Sequence, residues 1–278
     1  MATELLCDTK RWDVRDWTSH EDDSTRRVPL FGVQMDPLSL AEAVTRIMLW
    51  IEGPVAPCRY VVTPNVDHVV LLQSREDLRQ AYRQADLVLA DGAPVVAVAR
   101  WLGKPLPERV AGSDLVPALF QATSVDRPIS VFLLGGAPGV PERAAQQMAQ
   151  RWPHATVVGT YSPPLGFEHQ PDECQEIVRR IAQQSVDVLV VGLGAPKQEL
   201  WVQAHQDQLN AKVALCVGAT IDFLAGEKKR APRWMQRLGM EWLHRVASEP
   251  RRLMRRYLRD AVAFPRLVWR EFMQDRIA

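Results

Sequence analysis

The sequence predicts an α/β fold, a mostly parallel sheet with helices on both faces, followed by a basic helical C-terminal appendage. Three observations predict it. Apolar strand-like runs alternate with helical stretches of roughly 10–15 residues, the pattern of parallel strands joined by crossover helices. Each run ends on polar or glycine residues, and ligands of open α/β sheets bind beyond those carboxyl ends. After residue 226 strand-like runs cease, and arginine and tryptophan accumulate. The chain therefore divides into a leader over 1–27, expected to be disordered, an α/β catalytic domain over 28–226 and an appendage over 227–278.

A short strand is expected over 30–34. Ser39-Leu40-Ala41-Glu42 is a capping-box pattern that opens a helix reaching about residue 51. A strand over 59–63 follows. Ser74 is the expected cap of a helix over 76–85, which hands over to the strand ending at Asp91. The next helix closes at Gly103, and Ser113 or Asp114 is the expected cap of another through 122. Three strand–helix pairs come next, 129–134 with 140–152, 156–160 with 172–184, and 186–191 with 196–208. The last strand is expected over 213–217. Beyond it the chain reads as helices broken at Pro232, Pro250 and Pro265, completing a Rossmann-like domain and its tail.

Apolar residues make up 47% of 278, enough to bury a core without a metal or disulfide staple. Cys7, Cys58, Cys174 and Cys216 are scattered, and the histidines form no H-x-x-H pattern. No metal site is expected, and the cysteine usage suits a reducing compartment. No apolar run approaches the ~18 residues that read as a membrane span. Residues 1–27 lack an apolar stretch of the kind a secretory signal needs. The net charge of +1 hides an asymmetry: residues 227–270 carry 13 Lys or Arg against 4 Asp or Glu. Such a tail suits an anionic surface or ligand. Its Trp234, Leu238, Trp242, Val246, Leu253, Leu258, Leu267 and Trp269 recur at helical spacing. That stripe serves either packing on the body or contact with a membrane surface, and the density of Arg and Trp favours the membrane. A lone basic helix is poor support for nucleic-acid binding.

Asp91 follows the run Leu87-Val88-Leu89-Ala90 and precedes Gly92. A carboxylate there acts as a base on a bound substrate or as a helix N-cap, and the two roles are compatible. Gly135-Gly136-Ala137-Pro138-Gly139 joins a strand to a helix, where backbone N–H groups hold a diphosphate or simply make a tight turn. The spacing is not G-x-G-x-x-G, and Thr160-Tyr161 stands where a dinucleotide site places an acid, which counts against an oxidoreductase. In Gly192-Leu193-Gly194-Ala195-Pro196-Lys197-Gln198-Glu199, Lys197 and Gln198 project from a helix start. A cation and an amide there suit a nucleotide, and a solvated first turn is the structural alternative. Thr63 and Asn65 flank Pro64 at another strand end, where turn chemistry also explains them. Asp222 bonds a ribose hydroxyl or caps a helix. Outside the leader there is no D-x-D and no P-loop. Arg109, Lys197, Lys228, Lys229, Arg230 and Arg233 are then the groups available to neutralise a departing diphosphate.

Taken together the motifs resemble the bacterial WecG/TagA/CpsF glycosyltransferases. The matching stretches are Thr63-Pro64-Asn65-Val66-Asp67-His68, Ala85 through Gly92, and Leu102 through Asp114 with Glu108-Arg109-Val110-Ala111-Gly112 at its centre. Gly192 through Glu199, Asp222-Phe223-Leu224-Ala225-Gly226, and Arg230 through Arg252 match as well. The likeness covers residues 28–258 in order. It implies an inverting, metal-independent transfer from a UDP-sugar to a polyprenyl-diphosphate-linked sugar. No cofactor is implied, and the enzyme would be cytoplasmic, peripheral at the inner face of the cell membrane. It implies Asp91 as the base, Thr63, Asn65, Arg109 and Gln198 as substrate-binding residues, and a nucleotide held at Asp222. With these go Gly135, Gly136 and Lys197 from the residues themselves. It further implies that tail arginines in the region of Arg251, Arg252, Arg255 and Arg256 enter the site and that the tail touches the membrane. The donor sugar is expected to be of the N-acetylmannosamine type, with UDP-glucose or a UDP-uronate as the alternative. A homo-oligomer is compatible with this expectation, and no nucleic acid is expected as a partner.

Overall fold

The computed structural model describes residues 27–53, 57–104, 106–232, 235, 241–248 and 250–276. The expectation of a disordered leader therefore falls outside the described residues for 1–26. Arg27 belongs to the fold, because its guanidinium bonds Asp36 and the carbonyls of Ala85 and Asp86. The single strand expected over 30–34 is instead a hairpin, β1 (Val28–Leu30) and β2 (Val33–Met35), paired antiparallel. Phe31 and Gly32 both have positive φ, 55° and 80°. A two-residue turn of that hand matches the strand twist.

The main sheet has six strands, all parallel: β3 (Arg59–Val62), β4 (Leu87–Val88), β5 (Ile129–Gly135), β6 (Ala155–Tyr161), β7 (Val186–Gly192) and β8 (Ala211–Cys216), in the order β4-β3-β8-β7-β5-β6. Alternation along each strand sends Val61, Val131, Val188 and Val213 into one layer and Tyr60, Phe132, Leu189 and Ala214 into the other. Helices α1 (Leu40–Glu52), α5 (Gly112–Gln121), α6 (Val140–Arg151) and α9 (Thr220–Leu224) cover the first face. Helices α2 (Val66–Leu72), α3 (Glu76–Gln84), α4 (Ala93–Trp101), α7 (Pro171–Ala182) and α8 (Lys197–His205) cover the second, together with the hairpin. Strand β4 is an edge. Asp36 closes it, taking the Val88 N–H on its carboxylate at 2.8 Å and donating its own N–H to the Val88 carbonyl at 2.9 Å.

The local signals succeed unevenly. Ser39 and Glu42 form the expected capping box at α1. Ser74 does not cap α3, whose N-cap is Arg75, and Ser113 and Asp114 lie inside α5, whose N-cap is Ala111. Neither of those helices has a side-chain cap bond, because their starts are fixed by the chain leaving a packed strand or loop. Helix α2 directly follows Thr63-Pro64 and was not foreseen.

The tail forms α10 (Glu241–Ser248) and α11 (Pro250–Asp275). Pro265 lies inside α11 and does not break it. The expected single apolar stripe resolves into two. Leu253 and Leu267 face the body, Phe264 meets Phe31 with ring centroids 5.4 Å apart, and Phe272 stacks on Trp101 at 4.9 Å. Leu258 and Trp269 point outward, 60% and 64% exposed. Lys104 pairs with Glu271 at 3.0 Å, so the far end of α11 is anchored to the α/β body.

Candidate active site

The carboxyl ends of β3 and β4 lie side by side. The Asp91 N–H donates to the Pro64 carbonyl at 2.9 Å, and Thr63 Oγ1 donates to the Cys216 carbonyl at 3.3 Å. Thr63, Asn65 and Asp91 are thereby gathered where the sequence places them. Asp91 is not a helix cap: the N-cap of α4 is Gly92, with no side-chain cap bond. A quarter of its side chain is exposed, yet burial pushes its carboxyl up to about 7. The nearby positive charges of Arg109 and Arg245 oppose that rise, as does His68, while the negative charge of Glu241 adds to it. A carboxylate with a pKa near neutrality and an open face suits proton transfer.

Arg109 stands 3.8 Å from Asp91 and belongs to a closed ring of ion pairs. It bonds Asp114 at 2.8 Å and Glu241 at 2.6 Å, while Arg230 bonds Asp114 at 2.7 Å and reaches Glu241 at 3.5 Å. Two residues of the ring, Arg230 and Glu241, come from the tail. The ring fastens α10 over the site and brings the charge of Arg245 to bear on Asp91. Asp114 is named from sequence only as a possible helix cap, and Glu241 and Arg245 carry no assigned role. All three lie within matched stretches, Asp114 in the one ending E-R-V-A-G-S-D and the other two in the one from Arg230 to Arg252. Arg255 and Arg256 line an open cavity of about 470 Å³ with Asp67 and Pro196. Arg256 and Arg259 both pair with Asp67. The side chains of Arg251 and Arg252, and the whole of Arg233, lie outside the described residues.

A second group gathers at the ends of β5, β7 and β8. Strand β5 leads through α6 to one side of the sheet and β7 leads through α8 to the other, so their ends form a topological switch point. Gly135 and Gly192 let the two strand ends meet. A Cβ on Gly135, whose φ is +114°, would lie 2.5 Å from the Gly192 carbonyl oxygen, and one on Gly192 would lie 2.8 Å from that of Gly218. Gly136 has a φ of +81° and donates its N–H toward the Gly192 carbonyl at 3.4 Å. Lys197 opens α8 and pairs with Glu168. Gln198 turns inward, 2% exposed, donating to Glu199 at 2.8 Å and accepting the Gly218 N–H at 3.1 Å. Asp222 sits within α9 and pairs with Lys228 at 3.0 Å, at the root of the tail.

Asn65 is the N-cap of α2, its Oδ1 accepting from the backbone N–H of Asp67 and His68. His68 is buried, with Nδ1 2.9 Å from that same oxygen and Nε2 3.4 Å from Glu199 Oε1. His68 and Glu199 were present in the matched motifs but carried no assigned role. A polar pair at helix positions that should be apolar was the available signal.

Fold and site together define a class, an α/β enzyme with ionisable groups and glycine turns gathered at the carboxyl ends of a parallel sheet. Residues 28–278 match the model of the Glycosyl transferase WecG/TagA/CpsF family. The chain is 30% identical, over 238 residues, to proteins named N-acetylglucosaminyldiphosphoundecaprenol N-acetyl-beta-D-mannosaminyltransferase from Staphylococcus aureus strains MRSA252, MW2 and NCTC 8325. The match spans 86% of this chain and 91% of each relative. The chain belongs to the WecG/TagA/CpsF family and is a glycosyltransferase, which sets the oxidoreductase alternative aside.

Proposed function

We propose that the protein transfers an N-acetylmannosamine-type hexose from a UDP-sugar to a sugar carried on undecaprenyl diphosphate. Transfer would invert the anomeric centre, need no metal ion, and serve cell-envelope or exported polysaccharide synthesis. The S. aureus relatives support the acceptor and sugar classes by name. The observation that carries the mechanism is Asp91, a carboxylate free of capping duty, held near neutrality beside Arg109.

Asp91 takes the proton of the acceptor hydroxyl as that oxygen attacks the anomeric carbon. The bond from that carbon to the diphosphate breaks on the opposite face, and UDP leaves with the electron pair. A single base suits inversion, since no enzyme-linked sugar intervenes. Arg109 and Arg245, with Lys197 at the helix start, are placed to offset the charge that develops on UDP. Arg109 and Lys197 would exchange their carboxylate partners for phosphate oxygens to do so. Gly135 and Gly136 leave backbone room for the diphosphate, and Asp222 is placed to meet the ribose. Thr63 and Asn65 line the sugar.

The acceptor's lipid requires approach to a bilayer. Among the described residues no helix is long and apolar enough to cross one. Met254, Leu258, Val262, Trp269 and Met273 are all exposed, and their spacings of four and seven put them on one stripe of α11. Arg255, Arg259, Arg266 and Arg270 flank that stripe, an arrangement that suits the inner, anionic face of the cell membrane.

The deciding experiment is a panel of UDP-sugars with a prenyl-diphosphate-linked N-acetylglucosamine, read as UDP release, with and without EDTA. Release with UDP-N-acetylmannosamine, equal in EDTA and in Mg²⁺, is expected. Preference for UDP-glucose or a uronate would move the donor assignment, and loss of activity on chelation would refute metal independence.

A further inference from the structure

Beneath the crevice lies a buried polar pair, His68 and Glu199, that the mechanism above does not use. Glu199 is fully buried, and its Oε2 has no hydrogen-bond partner among the described residues. Its Oε1 accepts from the Gln198 amide at 2.8 Å and stands 3.4 Å from His68 Nε2, and His68 also faces Asn65. We infer that His68 and Glu199 are positioning residues that lock the Asn65 side chain, so that its amide NH₂ faces the crevice beside Asp91 as a donor to the bound sugar. This inference rests on the reading of that crevice as the sugar site.

Two backbone N–H groups, those of Asp67 at 3.1 Å and His68 at 3.4 Å, converge on one end of the Asn65 amide. Converging donors identify that end as the oxygen. The His68 Nδ1 stands 2.9 Å from that oxygen and 3.4 Å from the Asn65 backbone nitrogen, whose N–H donates to it to complete a capping box. The other ring nitrogen faces the Glu199 carboxylate. His68 is thus wedged between Glu199 below and Asn65 above. The Asn65 Nδ2 has no protein partner among the described residues and is not among the buried unpartnered atoms. Asn65 itself lies beside the Asp91-Gly92 turn, since a Cβ on Gly92 would lie 3.6 Å from the Asn65 Cα.

The capping box uses His68 Nδ1 but not Glu199 beneath it. Burying a carboxyl group costs stability unless it is fully hydrogen-bonded, and Glu199 Oε2 is not. What His68 and Glu199 add is a fixed direction for the amide, and misplacing a substrate-contacting group costs turnover even when the fold survives.

The test is a double-mutant cycle on the full-length protein, with UDP-sugar turnover against a solubilised prenyl-diphosphate acceptor and UDP affinity by calorimetry. Asn65→Asp keeps the cap oxygen and deletes the donor, so the melting temperature should hold while kcat falls ~50-fold. His68→Leu and Glu199→Gln should each lower kcat ~10-fold and leave UDP affinity unchanged. His68→Gln, which retains one donor, should recover part of the rate. Added to Asn65→Asp, His68→Leu should cost nothing further, because the group it aims is already gone. Wild-type kcat in His68→Leu, or losses that multiply in the double variant, would overturn the inference. If His68→Leu does not fold, Glu199→Gln completes the same cycle. Should the wild type transfer no sugar at all, the proposed function fails by itself. The ¹H–¹⁵N signals of the Asn65 side-chain NH₂ then decide the geometry: a shift of those signals in Glu199→Gln supports it and unchanged signals overturn it.

Discussion

The two ends of the crevice are built from different materials. At β3 and β4 the proposed chemistry falls to side chains: Asp91, Arg109 and the ring that Asp114, Arg230 and Glu241 close around it. At β5, β7 and β8 it is carried by the backbone, where glycines let strand ends approach and the polar side chains Lys197, Gln198 and Asp222 are all engaged within the protein. The first end is electrostatically loaded and holds a carboxyl group in an unfavourable state. The second is sterically exacting and nearly neutral. Charge substitutions should therefore act mainly on the first, and volume substitutions mainly on the second.

Asp91→Asn should give the largest effect, a loss of ~10³-fold in kcat with UDP affinity kept, measured by turnover and calorimetry. The same variant should be more stable. The folded carboxyl titrates near 7 and an unfolded one near ~4, so ionisation costs the folded state progressively as pH rises between those values. The gain in melting temperature should be ~5 °C at pH 8 and smaller at pH 5. A variant that retains turnover, or melts lower at pH 8, would erase the contrast between the two ends.

At the glycine end, Gly135→Ala should lower stability by ~3 kcal/mol, because the new Cβ meets backbone that cannot give way. UDP affinity should fall with it while the pH profile stays in place. A normal melting temperature would mean that the strand ends part more easily than their contact distances imply.

On the outer face of the tail, Leu258→Ser with Trp269→Ser should weaken binding to anionic vesicles ~10-fold and leave the melting temperature unchanged. Leu267→Ser, on the inner face of the same helix, should do the reverse. Equal effects from both faces would deny the division of α11 into packing and contact stripes.

The smallest effect is also the most diagnostic of the ring. On the proposed mechanism the Asp91 carboxylate is the base, so kcat/KM should rise with pH and level above about 7. Arg109 lowers that pKa and Glu241 raises it. Arg109→Met should therefore move the acid limb upward and Glu241→Gln should move it downward, both read from kcat/KM profiles. Matching shifts from Gly135→Ala would show that the two ends are not electrostatically separate.

Much of the fold was legible because its signals are local. Strand–helix alternation, the Ser39 capping box and the strand-end motifs depend on residues near one another in the chain, and each appears where the sequence places it. Helix starts at Arg75 and Ala111 were misplaced because packing, rather than a polar cap, sets them. The hairpin at Phe31 was missed because a non-glycine residue takes positive φ there.

By itself the sequence determined the α/β class, the order of its elements, the family likeness and the position of Asp91 at a strand end. Tertiary structure decided which charges surround that carboxyl and so its protonation near neutrality, because desolvation and ion pairing depend on distances between segments far apart in the chain. It also decided which tail residues stand beside Asp91: the likeness implied arginines near 251–256, whereas Arg230 and Glu241 close the ring around Arg109. Glu241 lies 132 residues from Arg109, and no period or motif measures a separation that only folding closes.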